Sequence, residues 1–235
     1  MLKTQNSWLL FNRIAKRYDL LNRLLSFRQD VRWRKKLASF IPSQQGLRLL
    51  DVGTGTGDVL FSLVKSMGSP QFKEAIGMDM AQDMLGIAQS KRADIKTEVS
   101  IQFIHGDATK LPLDTHSIDV ITMAFSIRNV EDPQLALKEA FRVLKPGGRL
   151  LILEFSMPSN SVVRAFYLAY FRYILPCVGG LVSGDYHAYR YLNKTVEAFP
   201  FGEAFCTYIR QAGFDPVAFY PLSFGISTLY VGDKA

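Results

Sequence analysis

The sequence predicts an α/β fold in which helices cover both faces of an open, mostly parallel central sheet. Between residues 47 and 155, apolar runs of strand length alternate with stretches whose apolar residues recur at helical spacing. The first run, Leu47–Val52, ends in three alternating glycines, as a buried strand does where it turns into a helix. Acidic residues end the next two runs, at Asp79 and Asp107. Because ligands bind outside the carboxyl ends of parallel strands, these residues are expected along one edge of the sheet.

The first 45 residues are expected to form two basic helices. Residues spaced by three and four predict that the first helix is amphipathic. They are Trp8, Phe11, Ala15, Tyr18, Asn22 and Leu25. Ser26 and Phe27 interrupt the pattern. A second helix is then expected over residues 29–40, before Pro42 and Gly46.

Positive charge is concentrated in these N-terminal helices. Residues 1–36 hold ten basic and two acidic side chains, a net charge of +8 against +7 for the whole chain, so the remainder carries −1. A localised charge of this kind suggests a polyanionic partner, either nucleic acid or the anionic face of a membrane. A solvated helix face is the alternative.

The core elements follow in order along the chain. Further strands are expected at residues 75–78, 101–105, 118–125 and 149–155. Helices are expected at residues 59–67, after Met80, and over the apolar positions from Leu135 to Leu144, where Lys-Pro-Gly-Gly follows. Residues 126–129 come directly after the fourth strand, so they are expected at the same sheet edge as the glycines.

The C-terminal part is expected to be a helical insertion followed by a closing helix and two strands. Residues 158–200 are rich in aromatic side chains. Arg164, Arg172 and Pro176 interrupt the apolar stretch, whereas a membrane span needs about 20 nearly uninterrupted apolar residues. A lid over an apolar ligand is the better interpretation. A helix at 203–211 and strands at 217–220 and 228–231, forming an antiparallel edge, complete the prediction.

The whole chain, residues 1–235, is interpreted as one domain. With 48% hydrophobic residues, it is long enough to bury one sizeable core. The parts are the N-terminal helices (1–45), a cofactor-binding core (46–157), the aromatic lid (158–200) and the closing helix and strands (201–235). Cys177 and Cys206 have no paired spacing, which favours neither a disulfide framework nor a metal site. A reducing, cytoplasmic setting is therefore expected.

The glycine loop and the acids predict an adenosine-containing ligand without phosphates. A dinucleotide loop has its third glycine where Asp58 stands, which disfavours that class. Asp79 can accept hydrogen bonds from two ribose hydroxyls and Asp107 from an adenine amine, whereas phosphates would repel a second carboxylate. S-adenosylmethionine fits, because its sulfonium and amino groups are positive; turn capping is the alternative for both acids. The candidate cofactor-binding residues are Asp51, Gly53, Gly55, Thr56, Asp58, Asp79, Met80, Asp107, Ala108 and Phe125.

Four stretches of the chain carry a family resemblance. They are residues 142–156, residues 18–26 with Trp33 beyond them, residues 125–129 and residues 189–192. Residues 142–156 resemble the second signature of the ubiquinone/menaquinone biosynthesis C-methyltransferase family (UbiE/MenG). Residues 18–26 with Trp33 resemble its first signature, and the other two stretches resemble further motifs of that family. Leu21, Asp30 and Ala124 stand where the family usually has Met, His and Ser. The change at Ala124 is expected to remove one cofactor hydrogen bond, worth about 1 kcal/mol.

The resemblance implies a Rossmann-like class I S-adenosylmethionine-dependent methyltransferase. The family methylates a ring carbon of a polyprenylated quinol in respiratory quinone biosynthesis. The expected reaction is therefore demethylmenaquinol to menaquinol, and/or methylation of 2-methoxy-6-polyprenyl-1,4-benzoquinol. The sequence does not choose between the two rings, because both present the same phenol and tail.

The acceptor chemistry points to residues after the fourth strand. A ring carbon becomes nucleophilic when a neighbouring phenol, whose free pKa is about 10, loses its proton. Arg128 is the candidate to stabilise the phenolate, and Asn129 to hold a water that carries the proton away; no metal is required. A salt bridge and a strand-end turn are the alternatives for this pair. The candidate substrate-binding residues are Tyr18, Asn22, Tyr186, His187 and Arg190, with His187 also a candidate proton acceptor.

The expected partners follow from a substrate that lives in the bilayer. The aromatic insertion would line an apolar channel, and the basic helices would touch anionic lipid, so the protein is expected to be peripheral at the inner face of the membrane. An RNA or DNA methyltransferase that uses the basic segment on phosphates is the main alternative. A binding module without activity is another. Nucleic acid is not the expected partner, and a homodimer is left open.

Overall fold

A seven-stranded sheet forms the centre of the molecule. The computed structural model describes residues 7–177 and 193–235. The strands are β1 (Leu47–Val52), β2 (Phe72–Asp79), β3 (Ser100–His105), β4 (Ile118–Ala124), β5 (Leu144–Phe155), β6 (Val217–Leu222) and β7 (Ser227–Asp233). They lie in the order β3-β2-β1-β4-β5-β7-β6. Neighbours from β3 to β5 are parallel, and β7 is antiparallel to β5 and β6, which confirms the predicted fold class.

Helices surround this sheet. They are α1 (Ser7–Leu25), α2 (Gln29–Ala38), α3 (Asp58–Gln71), α4 (Gln82–Arg92), α5 (Pro133–Val143), α6 (Ser161–Ala169) and α7 (Glu203–Gln211). A 3₁₀ turn at Ile127–Asn129 follows β4, and a π-helical turn at Tyr170–Ile174 continues α6. A further helical segment covers residues 193–198. The predicted substrate contacts Tyr186, His187 and Arg190 lie outside the described residues.

Apolar side chains on both faces of the sheet build the core. In β1, Leu50 and Val52 pack on the side of α5 and α7, whereas Leu47 and Leu49 pack on the side of α2 and α3. This alternation follows from the two-residue period of a strand, and burial on both faces is typical of a parallel sheet. The central strands are covered on both faces, so a ligand can reach them at their ends.

The prediction for the helix before β5 was wrong at its C-terminal end. The helix ends at Val143, and β5 begins at Leu144, because Gly147 N–H donates to the Lys234 carbonyl (2.7 Å) and so extends the pairing across Lys-Pro-Gly-Gly. Leu135, predicted to face the core, is 43% exposed. The side chain of Asp132 caps this helix at the Leu135 N–H, and Leu137 and Ala140 are buried as predicted.

The N-terminal helices and α6 come together beside the sheet. A sharp turn with left-handed backbone at Phe27 (φ 50°) and Arg28 (φ 60°) separates α1 from α2, where the sequence pattern predicted a break. Tyr167 and Phe171 of the α6 region pack against Phe11 of α1, among others. None of the described helices is long and apolar enough to cross a bilayer.

Candidate active site

A first cavity lies at the carboxyl ends of the central strands. The order of the sheet reverses between β1 and β4, and a crevice outside that point is the usual ligand site of such sheets. The cavity measures about 200 Å³. The predicted cofactor residues on its wall are Gly53, Gly55, Asp79, Met80, Asp107, Ala108 and Phe125. Residues from four strand ends and from α1 therefore meet at one place, which we call the cofactor cavity.

The glycine loop shapes this cavity by leaving side chains out. Gly53 and Gly55 have left-handed backbone (φ 69° and 56°), which favours glycine. A Cβ at Gly53 would stand 2.3 Å from the Ser126 Cβ, whereas a Cβ at Gly55 would meet no atom within 4 Å. The amides of Gly53 and Thr54 donate to the Met78 carbonyl (2.8 and 3.0 Å). The loop therefore leaves room for a ligand because its glycines have no side chains. The amides of Gly53 and Thr54 already donate to a protein carbonyl.

Asp79 is the acid that stands nearest the loop. Its Oδ2 accepts from the Gly55 N–H (2.7 Å) and its Oδ1 from the Ala81 N–H (2.8 Å). Burial raises the pKa of Asp79, against the effect of these backbone donors. The Met80 amide is a third backbone donor to this carboxylate, so at least one of its about four acceptor sites remains for a ligand that enters the cavity.

Three predicted cofactor residues lie outside the cavity wall. Asp51 is 1% exposed and accepts from the hydroxyls of Thr54 (2.7 Å) and Thr122 (2.6 Å) beneath the loop. Burial raises the pKa of Asp51 to about 6. Thr56 and Asp58 point instead towards α1 and α4. The polar atoms of these three residues form hydrogen bonds or ion pairs with other protein groups, so in this structure the residues stabilise the loop.

Thr56 and Asp58 belong to a cluster of charges that fastens α1 onto the loop. Thr56 Oγ1 donates to Asp19 Oδ1 of α1 (2.6 Å). Lys91 of α4 donates to Asp19 Oδ2 (2.5 Å) and to Asp58 Oδ1 (2.8 Å). Burial alone would raise the pKa of Asp58, but Lys91, with the nearby Arg34 and Arg23, holds it below its usual value. We call Asp19, Thr56, Asp58 and Lys91 the clasp.

A second, larger cavity adjoins the first and is mainly apolar. It measures about 390 Å³ and lies between α1, α2, the α6 region and the loop before β7. Its wall includes the predicted substrate residues Tyr18 and Asn22. The side chains that border both cavities are Phe11, Tyr18, Phe125 and Asn129. A ligand in the second cavity, which we call the acceptor cavity, would thus lie across this shared wall from a ligand in the first.

Arg128 stands in the wall of the acceptor cavity as half of a buried ion pair. Its Nη1 donates to Glu154 Oε1 of β5 (2.6 Å) and to the Phe125 carbonyl (2.7 Å). The two side chains are 3% and 1% exposed. The salt bridge that the sequence left as an alternative is therefore present. Since Glu154 balances the charge, Arg128 can act on a substrate oxygen by hydrogen bonding more than by net charge.

Asn129 and Tyr18 both border the two cavities. Asn129 Nδ2 donates to the Phe125 carbonyl at 3.4 Å, so the pair forms the predicted strand-end turn while facing both cavities. Burial raises the pKa of Tyr18, partly opposed by its hydrogen bond with Asn22. Tyr18 therefore stays protonated near neutral pH and can donate.

The residues that differ from the family pattern have identifiable surroundings. Asp30 is 5% exposed and forms an ion pair with Arg34, and Ser26 Oγ donates to its Oδ1 (2.7 Å). Both members of this ion pair line the acceptor cavity. Ala124 lines the cofactor cavity, so the loss of a cofactor hydrogen bond there stays a prediction.

Two residues that organise the site were missed in the sequence. Glu154 lies inside an apolar strand, and a buried carboxylate in such a run is itself a signal that a cation must pair with it. Lys91 carried no comparable signal. It is one of two basic residues in the last turn of α4, and the fold brings it to Asp19 and Asp58.

The sequence is similar to those of several known proteins. A sequence model of the ubiE/COQ5 methyltransferase family matches residues 1–234. A demethylmenaquinone methyltransferase of Thermus thermophilus is 43% identical over 225 residues, which cover 96% of this chain and 100% of that protein. A ubiquinone/menaquinone biosynthesis C-methyltransferase UbiE of Syntrophotalea carbinolica is 45% identical over 226 residues, which cover 96% and 93%.

A solved structure shares the fold at much lower identity. It is an SAM-dependent methyltransferase of Thermotoga maritima, described as a possible histamine N-methyltransferase. It superposes with a TM-score of 0.70 at 22% identity, over 97% of this chain and 99% of that one. This similarity supports the Rossmann-like fold.

Proposed function

Because this chain belongs to the ubiE/COQ5 methyltransferase family, we propose that it transfers a methyl group from S-adenosylmethionine to a ring carbon of a polyprenylated quinol. The substrate proposed first is demethylmenaquinol, in line with the name of the Thermus thermophilus relative. A polyprenyl benzoquinol is proposed second, because the name of the other relative includes ubiquinone biosynthesis. The observation that carries the proposal is the pair of adjoining cavities, one lined by acids and the other mainly apolar.

The cofactor cavity fits S-adenosylmethionine by the chemistry of its wall. Asp79 has at least one acceptor site left for a ribose hydroxyl, and Asp107 can accept from an adenine amine. The open space at Gly55 would be filled by a Cβ. Two carboxylates on one wall favour a positively charged nucleoside over a phosphorylated one. When bound, this cofactor supplies a methyl group attached to a positively charged sulfur.

The acceptor cavity suits a quinol ring with a prenyl tail. Aromatic and aliphatic side chains from α1, α2 and the α6 region form most of its wall. Such a wall excludes water, and hydrogen bonds to a developing phenolate are stronger where water is absent. Arg128 and Asn129 are the polar groups that we assign to the ring, with Tyr18 at the wall shared with the cofactor cavity. Asn129 would orient a water that carries the phenol proton away. After methyl transfer the ring carbon loses its own proton to water, which restores the aromatic ring.

We further propose that the mouth of the acceptor cavity rests on a membrane. Phe27 and Phe166 line the cavity, Phe224 lies between lining residues 223 and 226, and these three side chains are 74%, 75% and 83% exposed. We call them the aromatic rim. Phe27 and Phe224 also have left-handed backbone, an uncommon conformation for a bulky residue. Exposed basic residues follow Phe27 in the chain: Arg28 in the turn, and Arg32, Lys35 and Lys36 on α2.

The basic helices support this proposal in a narrower form than the sequence suggested. Arg23 and Arg34 are engaged with Asp58, so their charges hold the N-terminal helices onto the core. Among the basic residues whose side chains the structure describes, Arg28, Arg32, Lys35 and Lys36 are exposed and can meet anionic lipid. The alternative of an RNA or DNA methyltransferase is not favoured, because the relatives are named as quinone methyltransferases.

A transfer assay tests the function. The protein is incubated in detergent with methyl-labelled S-adenosylmethionine and, separately, a demethylated naphthoquinol, a demethylated benzoquinol and transfer RNA. Label is expected on a ring carbon of the naphthoquinol, with the benzoquinol as a second acceptor and none on the RNA. Absence of label from both quinols would contradict the proposal.

A further inference from the structure

Tyr167 of α6 has a buried hydroxyl that the fold does not use. Its side chain is 7% exposed and lies in the wall of the acceptor cavity. Within the described parts of the chain, its Oη has no hydrogen-bond partner. Other buried or half-buried tyrosines are satisfied: Tyr170 donates to the Leu25 carbonyl (2.8 Å), and Tyr230 accepts from the Gly202 N–H (2.8 Å). A phenylalanine would therefore fill the place of Tyr167 without leaving a polar group unpaired.

An unpaired buried hydroxyl costs free energy, so its presence calls for an explanation. In this conformation less than 1 Å² of the oxygen is accessible, so the missing partner can reach it only when neighbouring side chains move. A molecule that enters the acceptor cavity and adjusts the side chains there can supply it. The partner must offer an oxygen with free lone pairs in a mainly apolar ligand.

Arg128 presents a second unused donor to the same cavity. Its Nε is also buried without a hydrogen-bond partner among the described residues, although its Nη1 is fully engaged. A continuous set of aromatic rings joins the two residues. Tyr167 stacks on Phe171 (4.9 Å between ring centroids), Phe171 contacts Phe155 (6.3 Å), and the Arg128 guanidinium lies 5.4 Å from the Phe155 ring centroid.

From these two buried donors of residues that line one apolar cavity, we propose that the Tyr167 hydroxyl donates a hydrogen bond to the quinol oxygen that ionises during methylation. This inference rests on the proposed function and names a substrate contact that it lacked. Tyr167 remains a donor because burial raises the pKa of its phenol, so it does not ionise near neutral pH. A neutral donor fixed in an apolar wall stabilises negative charge that develops on the substrate.

The proposal predicts a specific change in pH dependence. The hydrogen bond favours the phenolate, so it lowers the pKa of the bound phenol from its free value of about 10. Turnover rises with pH until that phenol is ionised. Without the hydroxyl of Tyr167, the rising part of the kcat–pH profile should therefore move to higher pH. Near neutral pH, kcat should fall roughly 100- to 1,000-fold, as for other donors to a developing oxyanion.

Tyr167→Phe tests this, because it removes the oxygen and keeps the ring that stacks on Phe171. Tyr230→Phe is the matched control, since it removes a buried, partnered hydroxyl that borders neither cavity. For Tyr167→Phe we expect a lower kcat, a kcat–pH profile shifted to higher pH, and a Tm equal to or above that of the original protein. For Tyr230→Phe we expect a lower Tm and an unchanged kcat–pH profile.

Calorimetry provides a readout that does not depend on turnover. A demethylated naphthoquinol with a short prenyl tail should bind Tyr167→Phe more weakly than the original protein in the same detergent. The proposal would be overturned if the kcat–pH profile of Tyr167→Phe does not shift, or if its Tm falls while kcat is unchanged. Either result would show that the hydroxyl has only a structural role. If the unaltered protein methylates no quinol, the proposed function fails; if it does and Tyr167→Phe matches it, only this inference fails.

Discussion

Asp51 shows how one buried carboxylate can be read wrongly from the sequence. It ends β1 just before the glycine loop, and a strand-end acid there looks like a ligand for the cofactor. In the structure it faces Thr122, which is 71 residues away and lies opposite it in β4. The carboxylate therefore carries charge inside the protein, where solvation is poor, and its pKa rises to about 6 from 3.8.

This shift predicts a pH-dependent stability. Between about pH 4 and pH 6 the folded protein keeps a proton on Asp51 that the unfolded chain releases, so this group's contribution to stability falls as pH rises through that window. Asp51→Asn stays neutral throughout and keeps groups that can bond both threonines. The difference in free energy of unfolding, Asp51→Asn minus the original protein, should therefore increase by up to about 3 kcal/mol from pH 4 to pH 7.

Urea denaturation of both proteins across this range measures the difference directly. Other carboxyl groups titrate in both proteins and largely cancel. A difference that stays constant with pH would show that Asp51 titrates near its usual value.

At the residue scale, the sequence predicted the cavity wall well at Gly53, Asp79 and Phe125. It could not separate them from Asp51, because side-chain partners distant in sequence leave no local pattern.

Helix α1 is the element whose position matters most for the cofactor cavity. It supplies Trp8, Phe11 and Tyr18 to the wall, and the clasp fastens it to the glycine loop and to α4. The spacing of apolar residues predicted this helix with nearly correct bounds. Its docking depends on the ion pair between Asp19 and Lys91, 72 residues apart, which the sequence of the helix alone does not indicate.

Removal of the clasp lysine should loosen this helix. In Lys91→Met, Asp19 and Asp58 lose their shared cation, so the part of the cavity wall formed by α1 is less well held. A partly buried pair of this kind is worth about 1 kcal/mol, and the affinity for S-adenosylmethionine should fall roughly fivefold if that energy is lost. Calorimetry measures the affinity, and hydrogen exchange should show faster exchange in α1 than in the original protein.

Lys145→Met is the matched control for this change. Lys145 is 37% exposed against 30% for Lys91 and forms one ion pair with Asp119 (2.7 Å), but it borders neither cavity. It should leave cofactor affinity and exchange in α1 unchanged. Equal affinities in the two variants would show that the clasp does not contribute to cofactor binding.

The whole molecule combines a covered sheet with two cavities that no single segment could form. Alternating strands and helices were enough to predict the fold class, because each strand and helix has its own period. The acceptor cavity was not predictable as a shape. Its wall is assembled from α1, α2, the end of β4, the α6 region and the loop before β7, and only the packed chain brings these together.

The proposed membrane surface leads to a prediction at this scale. A double variant, Phe27→Ser with Phe224→Ser, should bind vesicles of phosphatidylcholine and phosphatidylglycerol about tenfold or more less tightly than the original, because burial of a phenyl ring in lipid contributes about 1.5 kcal/mol or more. Vesicle co-sedimentation measures this. Binding should also weaken when phosphatidylglycerol is omitted, through the exposed basic residues of α2.

The control for the rim is Leu135→Ser, which removes an apolar side chain that is 43% exposed on α5 and borders neither cavity. It should bind vesicles as the original protein does. If the control loses as much binding as the double variant, the surface that meets the membrane lies elsewhere.

The separation of the two cavities has a kinetic consequence. Only four side chains border both, so a lipid and a water-soluble molecule can be exchanged by different routes. On the proposed function, an enzyme resting on the bilayer can release one quinol and capture the next by lateral diffusion, without returning to solution between turnovers. Its velocity would then follow the mole fraction of quinol in the membrane, and dilution of the vesicles at constant composition would leave the rate of bound enzyme unchanged.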